Sequence, residues 1–204
     1  MSPLLMIRPV LEALNDGKVV RRAVAITLRV VAGLTALGSI FLIIEGLKLS
    51  FDMPTEGTVG GLLLVVIFAA SIFAVLQILF YRAGTIEGLG DSPFTVIPIV
   101  SVLLRAIGEI YAALSAAVSA GGCLFIWLAK ADPLWLLGGL GAFLPTMSVE
   151  GTFLGGLLFL LYFLFLGFAL LILFYFLAES TVVLADIARN IRQLVQQTGG
   201  EPAA

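Results

Sequence analysis

A chain of 204 residues with 61% hydrophobic and only 12% charged residues and a mean hydropathy of +1.17 reads as a polytopic membrane protein; soluble domains are roughly 45 to 50% apolar and about 25% charged. Histidine is absent, which removes His-ligated haem, the HExxH zinc site, Ser-His-Asp and Cys-His triads and histidine proton relays together. The net charge of −2 averages two sides of a membrane and says little about partners, and the one cysteine, Cys123, has no intramolecular disulfide partner.

Residues 1–17 form an N-terminal amphipathic segment. Within it, residues 2–14 read as a helix lying in the membrane interface, with Leu4, Leu5, Met6, Val10, Leu11 and Leu14 facing lipid, or as an arm packed on the domain. Its basic cluster follows the apolar residues, the reverse of a cleavable signal peptide. The first span covers about residues 24–49, after Lys18, Arg21 and Arg22. It contains Arg29, Glu45 and Lys48. A charge at the bilayer centre costs about 3 kcal/mol, but an apolar centre at 30–44 leaves all three near an interface, where long basic side chains snorkel.

The loop LSFDMPTEGTVG, with Pro54 and two glycines beyond it, ends the first helix and leads to a second span at about 60–81, interrupted only by Ser71 and Gln77 and closed by Arg82. The stretch AGTIEGLGDSPF reads as a turn, with Glu87 and Asp91 solvated. A third helix runs from about 95 to 129, with Pro98 in its first turn. Residues 18–92 and 93–178 thus form two helical pairs. Residues 131–151 are apolar but broken by glycines and prolines. They suit an interfacial hairpin on the outer face, with Trp135 at headgroup level, or a re-entrant loop.

The fourth span, 153–178, is 26 residues or roughly 39 Å, enough to cross a hydrocarbon core of about 30 Å with tilt. With no Gly or Pro to stop it, the helix continues as an amphipathic cytoplasmic extension over 179–197, and 198–204 is a disordered tail. The expected fold is therefore all-α, with four transmembrane helices, an interfacial N-terminal helix and a protruding end to helix 4. Counting Lys and Arg gives nine on the side of the termini (Arg8, Lys18, Arg21, Arg22, Arg29, Arg82, Arg105, Arg189, Arg192) against two on the other (Lys48, Lys130). Both termini are then cytoplasmic.

A shift of 95 residues aligns GGLLLVVIFAASIFAVLQILFYRAGTIEGLGD with GGLLFLLYFLFLGFALLILFYFLAESTVVLAD without a gap, pairing Gly60 with Gly155, Gly61 with Gly156 and Asp91 with Asp186. Leu28-Arg29 and Leu104-Arg105 hold corresponding places in the odd-numbered helices. Both halves start on one side, so the repeat is parallel, unlike the inverted repeats of many secondary transporters.

Three groups of residues carry candidate function. On the third helix, Ala112, Ala116 and Ala120, beside Ser115, Ser119 and Cys123, form a small-residue stripe suited to close helix packing or a subunit contact. The fourth helix is instead rich in phenylalanine, from Phe159 to Phe176. Arg105 and Glu109, four apart, are placed to pair. With Arg29 and Glu179 they would form a polar cluster where the helices meet the cytoplasm, able to hold an anionic lipid headgroup. On the extension, Val183, Ile187, Ile191 and Leu194 recur at helical spacing opposite Asp186, Arg189 and Asn190. That stripe must lie on the bundle, on the membrane surface or against a partner helix.

Glu179, Val182, Val183, Leu184, Ile187, Ala188, Asn190 and Arg192 reproduce the pattern E-x-x-V-V-L-x-x-I-A-x-N-x-R. Over about residues 173–194 the chain resembles a family of small bacterial integral membrane proteins of unknown function, built as a helical pair with an amphipathic exit. The resemblance implies a bacterial inner-membrane location and no catalytic residues. No pattern for a cofactor, metal, nucleic acid or activated nucleophile is present. The expected function is a non-enzymatic membrane scaffold or accessory subunit that self-assembles or joins a larger membrane complex. The alternative is a transport or channel component whose pore forms between subunits.

Overall fold

The computed structural model describes residues 17–90, 96–131, 133 and 151–198. The N-terminal interfacial segment, nearly all of the 131–151 hairpin and the tail after 198 lie outside the described residues. Within them the chain forms four long helices and no strand: α1 Lys18–Phe51, α2 Thr55–Glu87, α3 Val96–Ala129 and α4 Phe153–Thr198. All four are long and apolar enough to cross a membrane. In hydrocarbon a helix satisfies its own backbone donors and acceptors, so apolar runs of this length have few other stable forms. Buried Ser39, Ser50 and Ser71 follow the same rule, returning their hydroxyls to carbonyls of the preceding turn at 2.7 to 2.8 Å.

The helices begin or end beyond several expected bounds. α1 starts at Lys18 instead of about 24, after Gly17 in the left-handed region (φ 67°), so Arg21 and Arg22 lie in the helix. α2 begins directly after Pro54 and runs to Glu87, through the AGTIE segment read from its glycines as turn. Ala83 and Ile86 explain the difference. Both are completely buried, in a cluster with Ala25, Ile99 and Val102, and this packing outweighs the roughly 1 kcal/mol cost of Gly84 in a helix. α3 is followed by Lys130, a non-glycine residue at φ 50° whose N–H still donates to the Ile126 carbonyl. α4 is capped by Thr152, whose Oγ1 accepts the Gly155 N–H at 3.0 Å.

The helices pack in sequence order as an antiparallel row, α1 on α2, α2 on α3 and α3 on α4, with no comparable packing between α1 and α4. Glycine sets the spacing. A Cβ on Gly46 would stand 2.9 Å from Val65, one on Gly121 2.6 Å from Leu64, one on Gly108 2.9 Å from Phe174 and one on Gly167 2.6 Å from Ser115. These approaches let backbones close where no hydrophobic drive separates helix from lipid. Phe159 and Phe163 fill the far end against Ile126, while Phe165, Phe168 and Phe176 point outward, so α4's phenylalanines divide between packing and the exposed face. Trp127 joins that end by stacking on Phe153 and donating its indole N–H to the Phe153 carbonyl at 3.0 Å.

Candidate functional site

The start of α1, the end of α2, the start of α3 and the extension of α4 meet at one end of the row, and nearly all the described basic residues gather there. Three polar layers stack along it. Outermost, buried Arg21 donates to the Leu89 carbonyl and fastens α1 to the end of α2. Next, Arg29 forms a two-pronged pair with Glu87, at 2.8 and 2.7 Å, on the exposed surface. Deepest, and spanning three helices, Arg82 of α2 donates through Nε to Glu109 Oε2 of α3 at 2.9 Å and through Nη2 to Oε1. Tyr175 of α4 donates its hydroxyl to the same Oε1 at 2.6 Å and lies 3.4 Å from Arg82 Nη2. The Arg82 and Glu109 side chains are only 12% and 21% exposed, so this pair is shielded where the Arg29 pair is not.

Several expectations about this region are corrected. Glu109 does not pair with Arg105 one turn earlier; it turns to Arg82 and Tyr175 on the neighbouring helices. An i,i+4 pair on one helix is worth only about 0.2 to 0.5 kcal/mol, whereas a charged fork closing two helices plus a phenol offers several charge-assisted bonds. Arg29 is not part of that cluster, because Glu87 takes it. Glu87 itself, read as a solvated turn residue, is the last residue of a helix and an ion-pair partner. Glu179 is exposed and outside the cluster. The signal that could have found the true partners is the register of the row: helices that close at Gly108 and Phe174 bring Glu109 opposite Tyr175.

Arg105 is left in an unusual position. Its guanidinium lies 5.6 Å from the centre of the Tyr175 ring, yet it donates no hydrogen bond among the described residues, and its Nε is buried without a partner. It lines a cavity of about 250 Å³ between the first turns of α3 and the extension of α4, with Ser101, Val182, Asp186 and Arg189. Toward the other end, a mostly apolar crevice of about 140 Å³ is lined from all four helices, by residues such as Leu42, Leu64, Gly122 and Phe159. The surface charges there include Glu45 and Lys48, paired at 2.7 Å.

The small-residue stripe divides. Ser119 is buried, and Ala112 and Ser115 face Gly167 of α4, whereas Ala116 is exposed and Ala120 half-buried. Glycines 108, 121 and 122 on the same helix make close approaches: a Cβ there would stand 2.9 Å from Phe174, 2.6 Å from Leu64 and 2.3 Å from Phe159. On the α4 extension, Val183, Ile187, Ile191 and Leu194 are 56%, 49%, 56% and 60% exposed, so the row does not cover the stripe. Comparison with protein-family models, with curated proteins and with solved structures found no match to this chain.

Proposed function

We propose that this chain is a non-enzymatic scaffold or accessory subunit of a bacterial inner membrane, with both termini in the cytoplasm, which assembles with copies of itself or with another membrane subunit through the extension of α4. The observation that carries this reading is the exposed stripe Val183, Ile187, Ile191 and Leu194 on a helix that continues its membrane span without a break. A continuous helix carries Ile191 about 20 Å past Ala178 along its axis, away from the apolar stretch and not along the bilayer surface. Each such side chain gains about 1.5 to 3 kcal/mol on full burial, which a partner helix can supply.

The orientation is supported by the nine-to-two division of Lys and Arg, and the location by the exit motif's resemblance to small bacterial membrane proteins. A parallel repeat of two helical pairs is supported by the paired glycines that open each even-numbered helix. Gly61 of α2 abuts Ser50 at the end of α1, as Gly156 of α4 abuts Trp127 near the end of α3. Repetition of one pair by a neighbouring pair is a natural route to assembly. Gentle extraction followed by mass measurement of intact complexes tests the reading: it expects an oligomer or a bound second polypeptide. A monomer with no co-purifying chain would refute it.

A further inference from the structure

Arg29 and Arg105 stand at matching places early in α1 and α3, but Arg29 is paired with Glu87, whereas the Nε of Arg105 is buried with no partner among the described residues. Glu87, the partner of Arg29, lies 95 residues before Val182, so the helix that passes Arg105 carries an apolar side chain where the helix beside Arg29 carries a carboxylate. Arg105 therefore keeps its charge and its donors without the acceptor its counterpart has. Glu109 is close enough to interact electrostatically, but its oxygens accept from Arg82 and Tyr175. An arginine with a buried, unbonded Nε forgoes a hydrogen bond to a charged group worth more than a neutral one, and such a group calls for a ligand.

We propose that the cavity between the start of α3 and the extension of α4 binds a phosphate group, with Arg105 as its principal donor and Ser101 and Arg189 as further contacts. Ser101 is buried, and unlike Ser39, Ser50 and Ser71 it has no bond to the preceding turn among the described residues, which leaves its hydroxyl for a ligand. Arg189 reaches the same space from α4. Asp186 also lines it, so two guanidiniums and one carboxylate leave the lining with a net charge of +1. The cavity volume of about 250 Å³ accommodates a phosphate with its ester substituent. Arginine's planar fork matches two phosphate oxygens at once. Arg105 precedes Ile110, where the part of α3 without Asp, Glu, Lys or Arg begins, by five residues or roughly 7.5 Å, the depth at which phospholipid phosphates sit. The phosphate can belong to an anionic lipid headgroup or be free in solution. The site stands whether or not the chain assembles through α4.

The full chain, stripped of lipid in detergent, is offered phosphatidylglycerol, phosphatidylcholine or inorganic phosphate, and bound ligand is read by intact-mass measurement and thermal shift. We expect the wild type to retain phosphatidylglycerol over phosphatidylcholine, and Arg105→Gln to reduce that retention about tenfold, the factor set by losing a charge-assisted contact. Val182→Glu places a carboxylate beside Arg105 and should abolish retention while holding or raising the melting temperature, which keeps the test open if Arg105→Gln fails to fold. Lys48→Gln, at the other end, should bind as the wild type does. Displacement of the lipid by inorganic phosphate, with stabilisation by phosphate alone, identifies a free phosphate as the ligand; its failure to compete identifies the lipid. A wild type that neither prefers phosphatidylglycerol nor responds to phosphate overturns the site, as does a folded Val182→Glu that binds like the wild type.

Discussion

Tyr175 donates a hydrogen bond from its hydroxyl to Glu109 Oε1 at 2.6 Å, and so ties α4 to α3 at the point where Arg82 already ties α3 to α2. One carboxylate thereby fixes the register of three helices. It lies beside the apolar stretch of α3 and is mostly shielded, so its bonds are worth more than those of a solvated ion pair and its loss would leave a shielded cation behind.

Glu109→Ala should destabilise the fold by about 2 to 3 kcal/mol, because Arg82 loses its partner, and Tyr175→Phe by about 1 kcal/mol, because only one hydrogen bond goes. Thermal unfolding in detergent checks the order. Equal melting temperatures for the two variants would mean that Glu109 is not the common acceptor.

Glu87→Gln should lower stability less than Glu109→Ala does, since the Arg29 pair is exposed. Added salt should shrink the difference between Glu87→Gln and the wild type, and leave the Glu109→Ala deficit largely intact. Both follow from melting curves at low and high ionic strength, and a salt-insensitive Glu87 effect would argue that this pair is sheltered.

Gly167→Leu and Gly108→Leu should each cost about 1 to 3 kcal/mol or force α4 off α3, as the added side chain would meet Ser115 or Phe174. Gly33→Leu, with nothing within 4 Å, should leave the melting temperature of the single chain unchanged. If Gly33→Leu alone lowers it, α1 makes contacts other than those along the row.

A thiol placed at Glu56 should react with an impermeant reagent from outside intact cells, whereas one placed at Asn190 should require broken membranes, provided the termini are cytoplasmic. Buried Cys123 provides the unreactive background. Reversed labelling would invert the orientation and leave the helix row as it is.

The helices were legible because an apolar run of this length has few ways other than a helix to satisfy its backbone: Gly60 to Tyr81 falls wholly within α2, and the absence of Gly or Pro after Ala178 let α4 continue to Thr198. What escaped the sequence depended on packing between helices. Gly84 signals a turn locally, but buried Ala83 and Ile86 hold α2 together through it. Arg105 and Glu109 form a good pair on a helical wheel, yet which acceptor an arginine reaches is decided by the neighbouring helix, and Arg82 and Tyr175 are remote in sequence. The small-residue stripe was only half informative for the same reason. Alanine permits closeness on any face, while Gly108 and Gly121 mark where a neighbouring backbone comes near and Gly122 makes room for the Phe159 ring.

The decisive experiment replaces Ile187 and Ile191 together with Asp and compares the mass of the gently extracted complex with that of the wild type, alongside the melting temperature of each. Both side chains are about half exposed in the single chain, so the substitutions should leave the helix row folded while the wild-type assembly falls apart to single chains. An assembly that survives both charges, with the row intact, would contradict engagement through the extension of α4.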